Sequence, residues 1–148
     1  MQHMPYSMEQ YKLDFAELLK QIKESAKQYD LVMGIQRGGL IPGVHLSHAL
    51  GVPFNVIQWS NNGAKESANS HLACNKGKNI LLVDDICDSG VTMHEILVGY
   101  NEWNLDTAVL IYNNINKYNI TPTYHGWEMN RNDVPQWFDF WWEQASFN

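Results

Sequence analysis

Apolar residues in this chain alternate between stretches of helical period and short continuous runs. Between Ser7 and Gln28, the residues Tyr11, Phe15, Leu18, Leu19 and Ile22 recur three or four positions apart, which predicts an amphipathic helix with one buried face. Leu31 to Ile35 is a short apolar run ending in the turn-forming Gln36-Arg37-Gly38-Gly39, and reads as a strand. Leu40 to Leu50 predicts a helix closed by Gly51-Val52-Pro53, and Phe54 to Trp59 predicts a second strand. Ser60 to Lys78 carries Asn, Gly, Ser and Lys with little periodicity and is expected to be a mobile loop. Ile80 to Val83, Val91 to Tyr100 and Thr107 to Tyr112 follow as strand, helix and strand, after which the chain is rich in Asn and aromatics. This alternation predicts an α/β fold built on a parallel sheet, and 148 residues suit one domain with a sizeable core. Ligands of such sheets bind beyond the carboxyl ends of the strands, where Arg37-Gly38-Gly39 and Asp84-Asp85 both fall.

Charge and cysteine usage narrow the function classes. A net charge of −6 argues against a nucleic-acid partner, which ordinarily meets a basic patch. The two cysteines, Cys74 and Cys87, offer no disulfide framework, since Cys87 lies within a loop of candidate chemistry; a reducing cytoplasm is expected. No apolar run reaches the length of a membrane span and the first residues carry no apolar leader, so no membrane partner is expected. His71 and Cys74 have metal-like spacing without a second pair, which argues against zinc. Neither a Walker lysine nor a dinucleotide glycine pattern occurs.

The densest chemistry lies between Ile80 and Thr92. Four apolar residues run into Asp84-Asp85, then Ile86-Cys87, then Asp88-Ser89-Gly90-Val91-Thr92 at the start of a helix. Carboxylates at a strand end can grip sugar hydroxyls, and loop N–H groups at a helix N-terminus can cradle a phosphate. An ordinary strand with an aspartate N-cap would explain one of these carboxylates, but not two more at a buried strand's end, where unpaired charge is costly.

This string resembles the binding signature for 5-phosphoribosyl 1-pyrophosphate (PRPP) of the type I phosphoribosyltransferases. The resemblance implies that Asp84 and Asp85 hold the ribose hydroxyls, with Asp85 also near a Mg²⁺. It implies that the run Ile86, Cys87, Asp88, Ser89, Gly90, Val91, Thr92 forms the PRPP loop, its Asp88–Thr92 part wrapping the 5′-phosphate, with Ser89 supplying the hydroxyl more often given by Thr. Met33 to Gly43 resembles the pyrophosphate loop of the same family, especially its xanthine–guanine branch. There Arg37 adds a charged fork for phosphate oxygens, and Gly38 lets the backbone approach an anion. Read alone, Arg-Gly-Gly is more often a plain turn with a solvated arginine; the Asp84-Asp85 motif at the matching strand end reverses that reading.

The Ser60–Lys78 loop occupies the place of the family's catalytic loop, and Lys65 is the basic residue expected to reach the pyrophosphate, with Lys76 and Lys78 solvated. Val134 to Glu143 resembles the hood of the xanthine–guanine enzymes. By that likeness Trp137 stacks on the base, Phe138 turns its backbone to the base's polar edge, and Glu143 stands near a second Mg²⁺; Trp141 and Trp142 are expected to be packing residues. The whole chain then forms a single phosphoribosyltransferase domain, its hood mainly from 113–148. One departure stands out. A lysine that contacts the purine O6 follows the fourth strand in those enzymes, whereas Asn113-Asn114 stands here and Lys117 comes several residues late. An asparagine amide both donates and accepts, so the base is left open.

The resemblance implies a Mg²⁺-dependent enzyme joining PRPP to a nucleobase, with guanine, xanthine or hypoxanthine as acceptor and Asp88 as acid/base, working as a dimer or tetramer. A phosphoribosyltransferase for another base, or a regulatory protein that senses PRPP without catalysis, would keep both loops.

Overall fold

The computed structural model describes residues 2–59 and 75–145. Strands β1 (His3–Tyr6), β2 (Leu31–Gln36), β3 (Phe54–Gln58), β4 (Asn79–Cys87), β5 (Asn104–Asn113), β6 (Tyr124–Met129) and β7 (Trp137–Phe140) alternate with helices α1 (Met8–Glu24), α2 (Leu40–Leu50) and α3 (Val91–Gly99). A short 3₁₀ turn, Trp141–Glu143, follows β7. The central sheet has the order β3-β2-β4-β5-β6, and its pairings are all parallel. This is the expected α/β class.

Burial on both faces explains why the central strands read as continuous apolar runs. Alternate residues of β2 and β4 serve opposite layers. Val32, Leu81 and Val83 pack with Leu18 and Ile22 of α1 and Leu46 of α2, whereas Leu31, Met33, Ile80 and Leu82 pack with Met93 and Ile96 of α3. Helix α1 starts where Ser7 Oγ accepts the Gln10 N–H at 3.1 Å. It stops earlier than the expected Gln28, because Ala26 turns into the left-handed region at φ 58°.

Three strands are absent from the sequence expectation, and two of them form a second unit. β1 pairs in parallel with β7, matching His3 to Trp137 and Tyr6 to Phe140. The ring of Tyr6 lies 5.0 Å from that of Phe140, which stacks on Trp142 at 4.8 Å. The Tyr6 hydroxyl donates to the buried Asp14 of α1 at 2.6 Å, which ties this two-stranded unit to the core. The chain's first residues thus join its last ones. Conversely β6, inside the expected hood segment 113–148, is the outermost strand of the central sheet. Strand β4 also runs past the expected Val83, because Ile86 and Cys87 pair with Ile111 and Tyr112 of β5. Both aspartates, with Ile86 and Cys87, therefore sit in strand rather than loop.

Candidate active site

The carboxyl ends of β2, β4 and β5 lie side by side, and each delivers one part of the site. After β2 the chain turns sharply through a cis Gln36–Arg37 peptide into Gly38 and Gly39. The glycines are required by close approach. A Cβ on Gly39 would lie 2.2 Å from the Val83 carbonyl oxygen and 2.7 Å from the Ile35 nitrogen. On Gly38 it would lie 2.2 Å from Asp85 Oδ2. The Asp85 carboxylate therefore rests against the backbone of the Arg37 turn, and the two loops make one surface. A cavity of about 560 Å³ opens there, lined by Arg37, Gly38, Asp85, Trp142 and Glu143 among others.

Asp84 and Asp85 are an electrostatically costly pair. Asp84 Oδ1 accepts the Asp85 N–H at 2.9 Å, and Asp85 Oδ1 accepts the Ile86 N–H at 2.7 Å. Burial, and then the neighbouring Asp85 charge, hold the Asp84 carboxyl well above the usual carboxylate range. Burial raises Asp85 too, with Glu143 adding to it. Such a pair favours hydroxyl donors or a cation. Asp85 and Glu143 share one cavity, and the Glu143 charge acts on Asp85. Two carboxylates fit Mg²⁺, which binds through one or two of them and takes its other ligands from phosphate and water. Among the described residues no group of three or more His, Cys, Asp or Glu forms a cage by itself.

The loop after β4 is the anion end. Gly90 takes φ +85°, and a Cβ there would meet Asn116 Oδ1 at 2.7 Å. Ser89 Oγ accepts the Val91 N–H at 3.2 Å, and α3 begins at Val91 after an N-cap glycine, Gly90, that has no side chain to cap it. Its N–H groups face a cleft of about 110 Å³ lined by Asp88, Ser89, Gly90, Val91 and Thr92 among others. Cys87 stays a neutral thiol, because burial, with the Asp84 and Asp88 charges, pushes it up to about 12.

Asp88 joins this anion end to the third part of the site. Arg131 grips its carboxylate twice, Nε to Oδ1 at 2.9 Å and the second terminal nitrogen to Oδ2 at 2.8 Å. The other terminal nitrogen of Arg131 donates to the carbonyls of Val134, at 3.1 Å, and Gln136. Asn113, at the end of β5, donates from Nδ2 to the Asp88 carbonyl at 3.0 Å. Its Oδ1 accepts from the N–H groups of Ile115 at 3.3 Å and Arg131 at 3.2 Å. The side chain expected to read a base is thus buried and occupied in holding the loop; that is the work its bonds do here.

Trp137 is 53 % exposed. The Trp137 backbone N–H donates to the Gln2 carbonyl at 3.0 Å, and strand alternation turns the Phe138 peptide groups to the opposite side. The Phe138 ring is core, packed 5.6 Å from Trp127 and 5.0 Å from the Arg131 guanidinium carbon. Trp141 and Trp142 pack against Tyr11, as expected of packing residues, although Trp142 also faces the cavity with Arg37. Lys65, His71 and Cys74 lie outside the described residues. Arg131 escaped the sequence reading. The signal available was that it is one of only two arginines in the chain, three residues before the Val134-Pro135 that opens the hood motif.

Comparison with known proteins agrees with this geometry. Residues 6–139 match the family model for the phosphoribosyl transferase domain. A purine phosphoribosyltransferase from Pyrococcus horikoshii Ot3 superimposes with a TM-score of 0.72 at 23 % identity, covering 100 % of this chain and 99 % of that one. A hypothetical protein from Neisseria gonorrhoeae with bound ppGpp gives 0.74 at 22 % identity, over 98 % and 91 %. The xanthine-guanine-hypoxanthine phosphoribosyltransferase of Helicobacter pylori gives 0.70 at 25 % identity, over 95 % and 93 %. With a family match spanning nearly the whole chain and a parallel sheet presenting two glycine-bearing loops around paired aspartates, this protein belongs to the type I phosphoribosyltransferases.

Proposed function

We infer that the protein transfers the 5-phosphoribosyl group of PRPP to a 6-oxopurine, giving a nucleoside 5′-monophosphate and pyrophosphate in purine salvage. The observation that carries this reading is the close approach of Asp85 to Gly38, which sets the Arg37 turn and its cavity against the strand that runs on into the phosphate-sized cleft at the start of α3. PRPP carries a 5′-phosphate at one end, a pyrophosphate at the other and hydroxyls between, and this surface offers a partner for each. The purine enzymes among the structural relatives support the choice of base.

In the reaction a ring nitrogen of the base attacks C1 of the ribose with its lone pair. The bond from C1 to the pyrophosphate oxygen breaks, and its electron pair leaves with the pyrophosphate. The proton on the base's other imidazole nitrogen passes to Asp88, whose carboxylate keeps free lone pairs beyond the two that Arg131 occupies. Arg37 and Lys65 neutralise the leaving group, Asp84 and Asp85 hold the ribose hydroxyls, and the loop Asp88–Thr92 holds the 5′-phosphate. Asp85 and Glu143 would hold a Mg²⁺, which would supply further charge neutralisation on the pyrophosphate. Trp137 stacks on the base and the Phe138 backbone meets its edge. A cytoplasmic homodimer or homotetramer, without nucleic-acid or membrane partners, completes the reading.

The test is pyrophosphate release from PRPP and Mg²⁺ against guanine, xanthine, hypoxanthine, adenine, uracil and orotate. Release with a 6-oxopurine supports the proposal. Release only with another base keeps the mechanism and moves the specificity, and PRPP binding without release by any base points to a sensor.

A further inference from the structure

Asn113 is only 5 % exposed, with an Nδ2 hydrogen on the Asp88 carbonyl and Oδ1 on the Ile115 and Arg131 N–H groups, whereas the more exposed Arg131 holds a donor without a partner among the described residues. Arg131 has five N–H donors. Nε and one hydrogen of the second terminal nitrogen go to Asp88, and the first terminal nitrogen goes to the Val134 and Gln136 carbonyls. One N–H of the second terminal nitrogen remains without a partner among the described residues. It lies on the nitrogen bonded to Asp88 Oδ2, so a donor and an acceptor stand side by side on one rigid ion pair. The pair is accessible from the site: the Asp88 side chain is 37 % exposed and that of Arg131 18 %. The guanidinium is further fixed by the Phe138 ring, which lies 5.0 Å away.

We propose that Arg131 is the specificity-determining residue of this enzyme, donating its spare N–H to an exocyclic oxo group of the base while Asp88 accepts from the ring N–H beside it. A base with an oxo group next to a ring N–H completes both bonds. A base with an amino group there sets a donor against the Arg131 donor and leaves both unpaired, at the cost of a desolvated charged group. The selection is enforced by geometry, because Nε, both terminal nitrogens and the ring face of the guanidinium are all held. The inference rests on the phosphoribosyl-transfer reading of the site and assigns its base selection to the segment after β6, 18 residues beyond Asn113 in the chain.

The experiment compares wild type, Arg131→Met and Arg131→Lys in two measurements: kcat/KM with hypoxanthine and with adenine, and calorimetric affinity for inosine and adenosine 5′-monophosphates. Binding of the nucleotides needs no turnover and, because their free imidazole nitrogen carries no proton, it reads the Arg131 contact with the oxo group alone. Arg131→Met is expected to lower kcat/KM for hypoxanthine and affinity for inosine monophosphate about ten- to a hundredfold, the range for a lost charge-assisted hydrogen bond. The preference over the amino counterpart should collapse by the same factor, with Arg131→Lys intermediate. Both bases use Asp88, so a general loss from a displaced carboxylate cancels in the preference. Equal losses for oxo and amino ligands, or unchanged affinity for inosine monophosphate, would overturn the assignment while leaving phosphoribosyl transfer intact. A wild type that binds neither nucleotide and releases no pyrophosphate would overturn the transfer reading, and this inference with it.

Discussion

The two sides of the site are built in different ways. On the phosphate side, Asp84 to Thr92 is one uninterrupted run of chain in which strand β4 passes directly into the loop and α3, with the backbone of Gly38 packed against Asp85. On the base side, Asn113, Arg131, Val134, Gln136 and Trp137 come from the end of β5, the segment after β6 and β7, and side-chain hydrogen bonds hold them in register. A continuous element fixes its geometry through backbone conformation, so its requirements are local and steric. An assembled one depends on a network, so a change at any member spreads to the others.

Asp88 belongs to both sides, and replacing it tests the division most severely. Asp88→Asn keeps the shape of the side chain but removes the proton acceptor and the counter-charge of Arg131. Turnover is expected to fall by about 10²- to 10⁴-fold, the usual worth of a positioned acid/base, while PRPP still binds. Turnover that stays unchanged in a steady-state assay would remove Asp88 from the chemistry and reduce the base side to a scaffold.

The adjacent glycines sharpen the claim that the phosphate side is sterically defined. A methyl at Gly39 meets three backbone atoms of Val83 and Ile35. Gly39→Ala is therefore expected to cost about 1–3 kcal/mol of stability, as overpacking does. A methyl at Gly38 meets only the Asp85 carboxylate, which can rotate away. Gly38→Ala should accordingly melt near wild type but bind PRPP more weakly. Thermal unfolding and PRPP titration of the two variants check this, and identical behaviour in both would contradict the picture.

Charge removal separates the sides again. The Asp84 carboxyl is raised by burial and by Asp85, so the folded protein holds that proton to higher pH than the unfolded chain. The contribution of Asp84 to stability is then fully present below the ordinary carboxylate range and is lost as pH rises towards the raised value, because its folded form keeps the proton over that interval. Asp84→Asn should raise the melting temperature near neutral pH and flatten its dependence on pH, even as PRPP binding suffers. Asp88→Asn, which strands Arg131, should not stabilise. A wild-type slope of melting temperature against pH in Asp84→Asn would locate the strain elsewhere.

The same division governs what could be read from the sequence. The phosphate side was legible because a buried strand, two aspartates and a glycine-bearing loop follow one another without interruption. Only the strand's end was misplaced, since pairing of Ile86 and Cys87 with β5 is a tertiary fact. Arg37 and Gly38 were legible for the same reason, although the contact of Gly38 with Asp85 was not. On the base side, Asn113 could be located but not understood. Its bonds run to Asp88 and Arg131, 25 and 18 residues away. Arg131 has no local pattern at all. β1 was invisible because four residues with Pro5 among them carry no period, and their strand exists only through pairing with β7 at the opposite end of the chain.

Trp137 gives the smallest expected effect and the finest test of the comparison. Its ring is largely exposed while its backbone is locked to β1, so side-chain truncation should leave the network of Arg131 and Asn113 in place. If the base side is a network that merely carries a stacking surface, Trp137→Ala should raise the KM for the base about two- to tenfold, the worth of one aromatic contact. The melting temperature and PRPP affinity should hardly change. If instead the melting temperature falls and the base KM does not move, Trp137 belongs to the packing of β1 against β7, and the stacking surface must come from another residue of the hood.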